Sequence, residues 1–327
     1  MMKAVLLDGF GGPEVLALGE VERPLPGPDQ VLIRVVATSV NRPDIVQRQG
    51  NYPAPKGDSE VLGLEVAGTI ESLGPGVDGW REGDRVMALV GGGGYAEFAV
   101  AHAGHLIAIP SAMSFEQAAC VCETYLTAYL NLFRLGGLGD GDSVLLHGGG
   151  GGVNTAAIHL CRALVPNARI IVTASPAKLE RVRALGADEV IDYRNQNFAE
   201  QVKLQTDKRG VQVILDHIGA PYLADNLKSL AVGGRLVVIG VMGGGKAEVN
   251  LALMMVKRQH IIGSVLRARP VQEKTDIIRD FSKTVIPHMA DGGIVPLVDR
   301  VFELDQVADA HRYMEQSAHF GKIVLTL

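Results

Sequence analysis

The sequence predicts an α/β protein, with a doubly wound parallel sheet joined to a β-rich domain that precedes it. Three observations predict it. Residues 1 to about 110 hold strand-like runs separated by Gly/Pro turns. From about Ser114 onward, apolar β-type runs alternate with helical stretches, the pattern of a parallel sheet covered on both faces. Within the second region lies Ser143-Val-Leu-Leu-His-Gly-Gly-Gly-Gly-Gly-Val-Asn-Thr-Ala-Ala-Ile-His-Leu160, which reads as strand, glycine loop and helix.

Taken in order, the first strands are expected at Lys3–Leu7, Gln30–Ala37 and Val66–Ser72, with turns at Arg23–Asp29 and Gly74–Gly76. Gly83–Leu89 reads as another strand, and Gly91–Gly94 as a flexible loop before Tyr95–Val100. Ser114-Phe-Glu-Gln117 has the spacing of a capping box that opens a helix. After the glycine loop, strands are expected at Arg169–Thr173, Glu189–Asp192, Val211–Asp216, Arg235–Ile239 and His260–Val265. Helices are expected over Pro176–Gly186 and Pro221–Ala231. The last part carries a helix from about Val271, a strand Val298–Phe302, a helix Ala308–Gln316 and a strand Gly321–Thr326. That final strand resembles the first region, so the chain is expected to return there.

Composition narrows the function. The chain has 327 residues, long enough for about two domains. A net charge of -5 gives no electrostatic reason to expect nucleic acid or an anionic membrane. No apolar run has the length of a membrane span, and Asp8 interrupts the N-terminus too early for a secretory leader. Three cysteines give no disulfide framework, which suits a reducing cytoplasm.

The glycine loop fits a dinucleotide site, where glycines let the backbone approach a pyrophosphate and the helix amides bind it. The register reads Gly149-x-Gly151-x-x-Asn154, so Asn154 stands where the third glycine of the fingerprint is usual. A side chain there is expected to crowd the helix away from its strand and loosen cofactor binding; the alternative is that the Asn154 amide finds a compensating hydrogen bond at the helix start, where Asn is well tolerated. The strand end after the loop reads Ile171-Val-Thr-Ala-Ser-Pro-Ala-Lys178, with no acid before Glu180. A hydroxyl and a cation there suit the 2′-phosphate of NADPH, whereas NAD sites usually place an acid at that point. Gly240-Val-Met-Gly-Gly-Gly-Lys-Ala247 imitates a triphosphate loop but has Ala247 where Mg²⁺ needs Ser or Thr. Neither HExxH, paired CxxC nor GxSxG occurs, so zinc hydrolysis and serine hydrolysis have no support.

With these residues in view, the chain resembles the zinc-free quinone oxidoreductases of the medium-chain dehydrogenase/reductase superfamily. It looks most like the zeta-crystallin-like enzymes and the tumour-suppressor-inducible NADPH:quinone oxidoreductase branch. The resemblance rests on Asn41–Tyr52, Leu62–Gly68, Leu126–Ala128, Val241–Gly245, Gly263–Arg267 and Gly321–Leu325, in that order along the chain. It implies a GroES-like catalytic domain over 1–122, a Rossmann NADPH-binding domain over 123–268 and a return to the catalytic domain over 269–327, with the active site in the cleft between domains. Zinc-dependent relatives carry a Cys at the position of Asn41 and a His at that of Leu64, so no metal is expected.

Position by position, the resemblance implies that Asn41 and Tyr52 line the substrate pocket and are catalytic. Asn41 and Thr127 would lie near the nicotinamide. Gly149, Gly152 and Val153 would hold the pyrophosphate. Ser175, Lys178 and Tyr193 would hold the 2′-phosphate. Gly240, Met242, Ser264, Leu266 and Phe320 would hold the nicotinamide end. Tyr52 can equally be read as an aromatic packing on its own turn, and Glu65 is read as a structural strand carboxylate. The implied activity is hydride transfer to a quinone or an α,β-unsaturated carbonyl. The alternatives are an enoyl-thioester reductase, or a cofactor-stabilised crystallin-like or RNA-binding protein without useful turnover. A homodimer paired through the strand His260–Val265, cytoplasmic and free of nucleic acid and membrane, completes the expectation.

Overall fold

A computed structural model describes residues 1–327. The hairpin β1 (Met2–Leu7) and β2 (Leu16–Val21) comes first. Then follow β3 (Gln30–Val40), α1 (Arg42–Arg48), β4 (Glu65–Leu73), β5 (Arg85–Leu89), β6 (Phe98–His102) and β7 (Leu106–Ala108). Helices α2 (Phe115–Ala118) and α3 (Thr124–Tyr129) lead to β8 (Ser143–His147). Next come α4 (Gly152–Leu164), β9 (Arg169–Ala174), α5 (Leu179–Ala184), β10 (Glu189–Asp192), α6 (Phe198–Gln205) and β11 (Val211–Asp216). They are followed by α7 (Leu223–Ser229), β12 (Leu230–Val238), α8 (Leu251–Lys257) and β13 (His260–Gly263). The chain closes with α9 (Val271–Thr284), α10 (Ile286–Ala290), β14 (Val298–Glu303), α11 (Val307–Glu315) and β15 (Lys322–Thr326).

These elements form two compact units, one of residues 1–126 with 266–327 and one of residues 127–265. The divisions thus fall at 126/127 and 265/266.

The first unit holds a sheet of order β14-β15-β3-β4-β5-β7, with β6 also paired to β3. β15 runs antiparallel to β3, with Ile323 opposite Val40, which is the expected return of the chain. The core under this seam joins Val40, Ile45, Leu62 and Tyr95 to Val307, Met314 and Ile323. Each such apolar side chain contributes about 1.5–3 kcal/mol by leaving water. The expected strand at Tyr95–Val100 begins only at Phe98. The Tyr95 amide instead donates to the Leu62 carbonyl at 2.9 Å, and its carbonyl accepts from Val5 N at 2.9 Å.

The second unit holds a wholly parallel sheet of order β10-β9-β8-β11-β12-β13. Its strands are near-continuous apolar runs because both faces are covered. In β8, Val144, Leu145 and Leu146 are all wholly buried. The order reverses between β8 and β11, and the crevice beyond the carboxyl ends at such a switch point is where ligands bind in open α/β sheets. The helix expected over Pro221–Ala231 stops at Ser229, because Leu230 pairs with Val211 and joins β12.

Candidate dinucleotide site and buried polar clusters

The glycine loop leaves β8 at the switch point. Gly148 has φ +81, and a β-carbon on it would lie 2.7 Å from the His217 ring. Its amide and that of Gly149 both donate to the Thr173 carbonyl at the end of β9, at 3.0 and 2.9 Å. Helix α4 then begins at Gly152, with Gly151 as N-cap and no side chain capping it. The first amides of this 13-residue helix, at Gly152 and Val153, therefore receive no side-chain cap, the arrangement by which helix N-termini can bind an anion.

Lys178 lies across this loop. A β-carbon on Gly150 would come 2.4 Å from Lys178 Cδ and 3.1 Å from its Nζ. Ser175 stands at the N-cap position of the short turn that presents Lys178, with no side-chain bond to that turn. The β9–β10 register sets Asp192 opposite Ala174, which brings the exposed Tyr193 beside Ser175. Asp192 turns into its own loop, accepting from Arg194 N at 3.0 Å and Asn195 Nδ2 at 2.7 Å. Ser175 and Tyr193 thus follow the neighbouring ends of β9 and β10, and Asp192 is turned into its own loop. Anion-binding amides with a lysine beside them fit the phosphates of a dinucleotide.

Asn154 corrects an expectation. It does not merely crowd the helix: Nδ2 donates to the carbonyls of His147 at 2.6 Å and Gly148 at 3.1 Å, and the residue is 1 % exposed. The amide adds a donor to the His147 carbonyl at the end of β8 and a second donor to the Gly148 carbonyl, which also accepts from Gly151 N at 3.0 Å. Asn154→Gly is therefore expected to cost about 1–3 kcal/mol, from two lost hydrogen bonds and added backbone freedom. Melting curves should fall, and fluorescence titration should give weaker NADPH binding. Tighter binding with an unchanged melt would restore the crowding view.

Behind the loop runs a buried chain that sequence reasoning missed. His147 Nε2 donates to Asn226 Oδ1 at 2.8 Å, and Asn226 Nδ2 donates to Asp216 Oδ2 at 3.1 Å. His147 Nδ1 is then the acceptor for Thr173 Oγ1 at 3.1 Å. Burial holds this imidazole down at about 3, so it stays neutral with a fixed tautomer. The chain ties the ends of β8, β9 and β11, from which the loops at the switch point depart.

In the first unit, Asn41 is 4 % exposed and engaged at both ends. Its Nδ2 donates to Glu65 Oε1 at 3.0 Å, and its Oδ1 accepts from Lys322 Nζ at 2.5 Å. Lys322 also pairs with Glu65 Oε1 at 3.0 Å. Glu65 further accepts from Ser39 Oγ at 2.5 Å and Glu123 N at 2.8 Å. Glu65 has the surroundings of a structural carboxylate. The role expected of Asn41, reaching a substrate oxygen itself, is at odds with an amide already spent on a buried ion pair.

Helix α1 starts at Asn41, whose amide donates to Asp44 Oδ2 at 2.7 Å. Arg48 Nη1 donates to His311 Nδ1 at 3.2 Å, so His311 Nε2 carries the proton and donates to Tyr95 Oη at 3.2 Å. Tyr95 then donates to Asp44 Oδ2 at 3.0 Å. This buried relay locks α1 to α11, the helix beside β15.

Tyr52 is half-buried in the same unit, with the Arg267 guanidinium 5.2 Å from its ring centre. Burial raises its phenol, the nearby Glu123 adds to that and Arg267 opposes it, so the hydroxyl remains a donor at neutral pH. The other expected residues occupy varied settings. The Thr127 carbonyl accepts from Asn131 Nδ2 at 2.7 Å. Gly240 and the exposed Met242 lie in the turn after β12, where Met242 N donates to the His217 carbonyl at 3.0 Å. Ser264 N donates to the Val238 carbonyl at 3.0 Å. Leu266 and Phe320 are buried. Leu64, at the position of a zinc ligand in relatives, is 1 % exposed in the core. No three His, Cys, Asp or Glu side chains are grouped so as to hold a metal, and no helix is long and apolar enough to cross a membrane.

A parallel sheet with a glycine loop at its switch point, joined to a β-rich unit, defines a two-domain dehydrogenase or reductase. The chain belongs to the medium-chain dehydrogenase/reductase superfamily. Its residues 27–111 match the alcohol dehydrogenase GroES-like domain, and residues 185–325 match the zinc-binding dehydrogenase family. It is 33 % identical to the quinone oxidoreductase of Rattus norvegicus, over all of this chain and 98 % of the relative. Among solved structures, the quinone oxidoreductase of Pseudomonas syringae pv. tomato DC3000 is 30 % identical with a TM-score of 0.88, covering 100 % of both chains. The JamJ enoyl reductase is 26 % identical with a TM-score of 0.89, covering 100 % of this chain and 99 % of that one. The protein is thus an oxidoreductase of this superfamily with GroES-like and Rossmann-type domains.

Proposed function

We propose that the protein uses NADPH, without zinc, to reduce a quinone or an α,β-unsaturated carbonyl compound. The observation that carries this reading is Lys178 folded across Gly150 at the uncapped start of α4, with Ser175 and Tyr193 beside it. Bound NADPH would supply a hydride. Gly149, Gly152 and Val153 would hold the pyrophosphate. Ser175, Lys178 and Tyr193 would hold the 2′-phosphate. Thr127, Gly240, Met242, Ser264, Leu266 and Phe320 would frame the nicotinamide. The Tyr52 hydroxyl would donate to the acceptor oxygen as negative charge builds there. Asn41 would act through Glu65 and Lys322, holding the strand ends in place.

The test is NADPH oxidation with a naphthoquinone, an enone and a crotonyl thioester side by side. Turnover with the quinone or enone supports the reading. Faster turnover of the thioester would make the protein an enoyl reductase, as the JamJ protein is named. No turnover with any acceptor would favour a cofactor-stabilised binding protein.

Two further expectations belong to this reading. Protein purified without added metal should contain no stoichiometric zinc by elemental analysis and keep its activity under chelation. The protein should also be a homodimer. Strand β13 is the free edge of the parallel sheet, and Ile261 and Val265 are exposed on or just after it. Such an edge invites pairing with a second copy. Light scattering should report twice the chain mass at micromolar concentration, and a monomer would refute it. A reducing cytoplasm suits the three buried free thiols, Cys120, Cys122 and Cys161.

A further inference from the structure

A cavity of about 300 Å³ opens between α6, α7 and α8 in the second unit. It lies at the amino ends of the strands, since Gly210 on its wall directly precedes β11 and Ser229 directly precedes β12. The glycine loop leaves the carboxyl end of β8, which runs parallel to β11. The cavity and the dinucleotide site are therefore at opposite ends of the sheet. Its size is at the lower end of the range for small-molecule sites.

Four lysines line it, Lys203, Lys208, Lys228 and Lys257, against one carboxylate, Glu200. In a chain with 31 basic and 36 acidic residues this is a local reversal of sign. Lys203, Lys228 and Lys257 come from the last turns of three helices, where a cation suits the helix dipole. The dipole does not account for Lys208, which lies in the turn after α6. There Asp207 and Lys208 both take left-handed backbone, at φ +49 and +65, which residues with a side chain disfavour. Lys208 N donates to the Lys203 carbonyl at 2.8 Å, and Gly210 N donates to Thr206 Oγ1 at 2.9 Å. These bonds fix the turn and set Lys208 on the cavity wall.

The ammonium groups have donors to spare. Lys257 Nζ donates to the Lys228 and Leu230 carbonyls at 3.0 and 2.8 Å, two of its three N–H groups, so it is held in place with one donor left. Lys228 Nζ makes one bond, to Asp225 at 2.8 Å. Lys203 stands 3.9 Å from Glu200, too far for a hydrogen bond, and that glutamate side chain is 68 % exposed. Lys208 pairs with no carboxylate. With Glu200 and Asp225 set against four cations, two positive charges remain uncompensated. Val202 and Leu253 make part of the wall apolar, so a ligand's polar contacts fall to the lysines.

We infer that this cavity binds a compact anion carrying two phosphate groups, one held by Lys203 and Lys208 and the other by Lys228 and Lys257. Reading a flat carboxylate from two sides calls for the guanidinium fork of arginine, and no arginine lines the cavity. Ammonium groups act as point charges and suit phosphate oxygens, which spread in several directions. The lysines also come as two pairs, one from α6 and its turn and one tied together through the Lys228 carbonyl. The site is separate from the reductase reading and does not depend on it.

Inorganic pyrophosphate and orthophosphate are the probes, followed by calorimetric titration of the full-length protein. Pyrophosphate could also reach the glycine loop, so the titrations are repeated on Lys178→Ala and on the double variant Lys203→Gln with Lys208→Gln. Lys178→Ala should still bind one pyrophosphate per chain, at least about tenfold more tightly than orthophosphate, the scale of a charge-assisted hydrogen bond. The double variant should lose at least about tenfold in that affinity. Both of its altered side chains are exposed, so its melting curve should match that of the unaltered protein. No binding at millimolar pyrophosphate, equal binding of the two anions, or a folded double variant that binds as before would each overturn the site. Loss of all binding in Lys178→Ala would assign the anion to the glycine loop and overturn it as well.

Discussion

Replacing Lys322 with methionine is expected to destabilise the protein by about 3–5 kcal/mol, the cost of breaking a buried ion pair from one side. The side chains of Lys322 and Glu65 are 4 % and 0 % exposed, and their charged atoms meet at 3.0 Å. The ammonium also donates to Asn41 Oδ1 at 2.5 Å and the Val40 carbonyl at 3.2 Å. Methionine removes the cation and leaves the Glu65 carboxylate among neutral donors, while Asn41 loses the donor to its carbonyl oxygen. Urea unfolding should show a lower midpoint with an unchanged slope. The double variant Lys322→Met with Glu65→Gln should recover a large part of the loss, because no uncompensated charge then remains. A single-variant loss below about 1 kcal/mol would mean that water reaches the pair, since pairs in contact with solvent contribute no more than that.

Replacing Lys178 with alanine is expected to weaken NADPH binding about ten- to a hundredfold. A charge-assisted hydrogen bond contributes roughly 1.5–3 kcal/mol, which corresponds to that range. NADH, which lacks the 2′-phosphate, should bind nearly as before. Lys178 also covers Gly150, so a purely steric role would weaken both cofactors alike. Fluorescence titration with each cofactor separates the two outcomes, and equal losses would show that Lys178 shapes the loop without reading the phosphate.

The second unit was legible because its signals are local. Ile170–Val172 and Val213–Leu215 are short apolar runs between turns, and each became a strand of the parallel sheet. The capping box at Ser114 and Gln117 likewise formed, with bonds of 3.1 and 3.2 Å. Strand β2 escaped notice because Leu18 faces solvent and Gly19 interrupts the pattern. Asn154 was visible as a departure, but whether its amide found partners depends on where the β8 carbonyls point. The basic cavity was beyond sequence reading altogether. Residues 203, 208, 228 and 257 meet only through the fold, and no local pattern records that their charges converge.

The seam between β3 and β15 also dictates an order of assembly during synthesis. The unit of residues 127–265 is one continuous stretch, so it can close as soon as β13 leaves the ribosome. The other unit cannot: β3 lacks its neighbour until Ile323–Thr326 has been made. At roughly 5–20 residues per second, the wait after residue 126 is about 10–40 s. Throughout it the half-finished sheet exposes the edge of β3 and the acid Glu65 without its lysine. A nascent chain of this architecture therefore needs protection at its N-terminal half, and stalling late in translation should leave that half open to proteases while the parallel sheet already resists them.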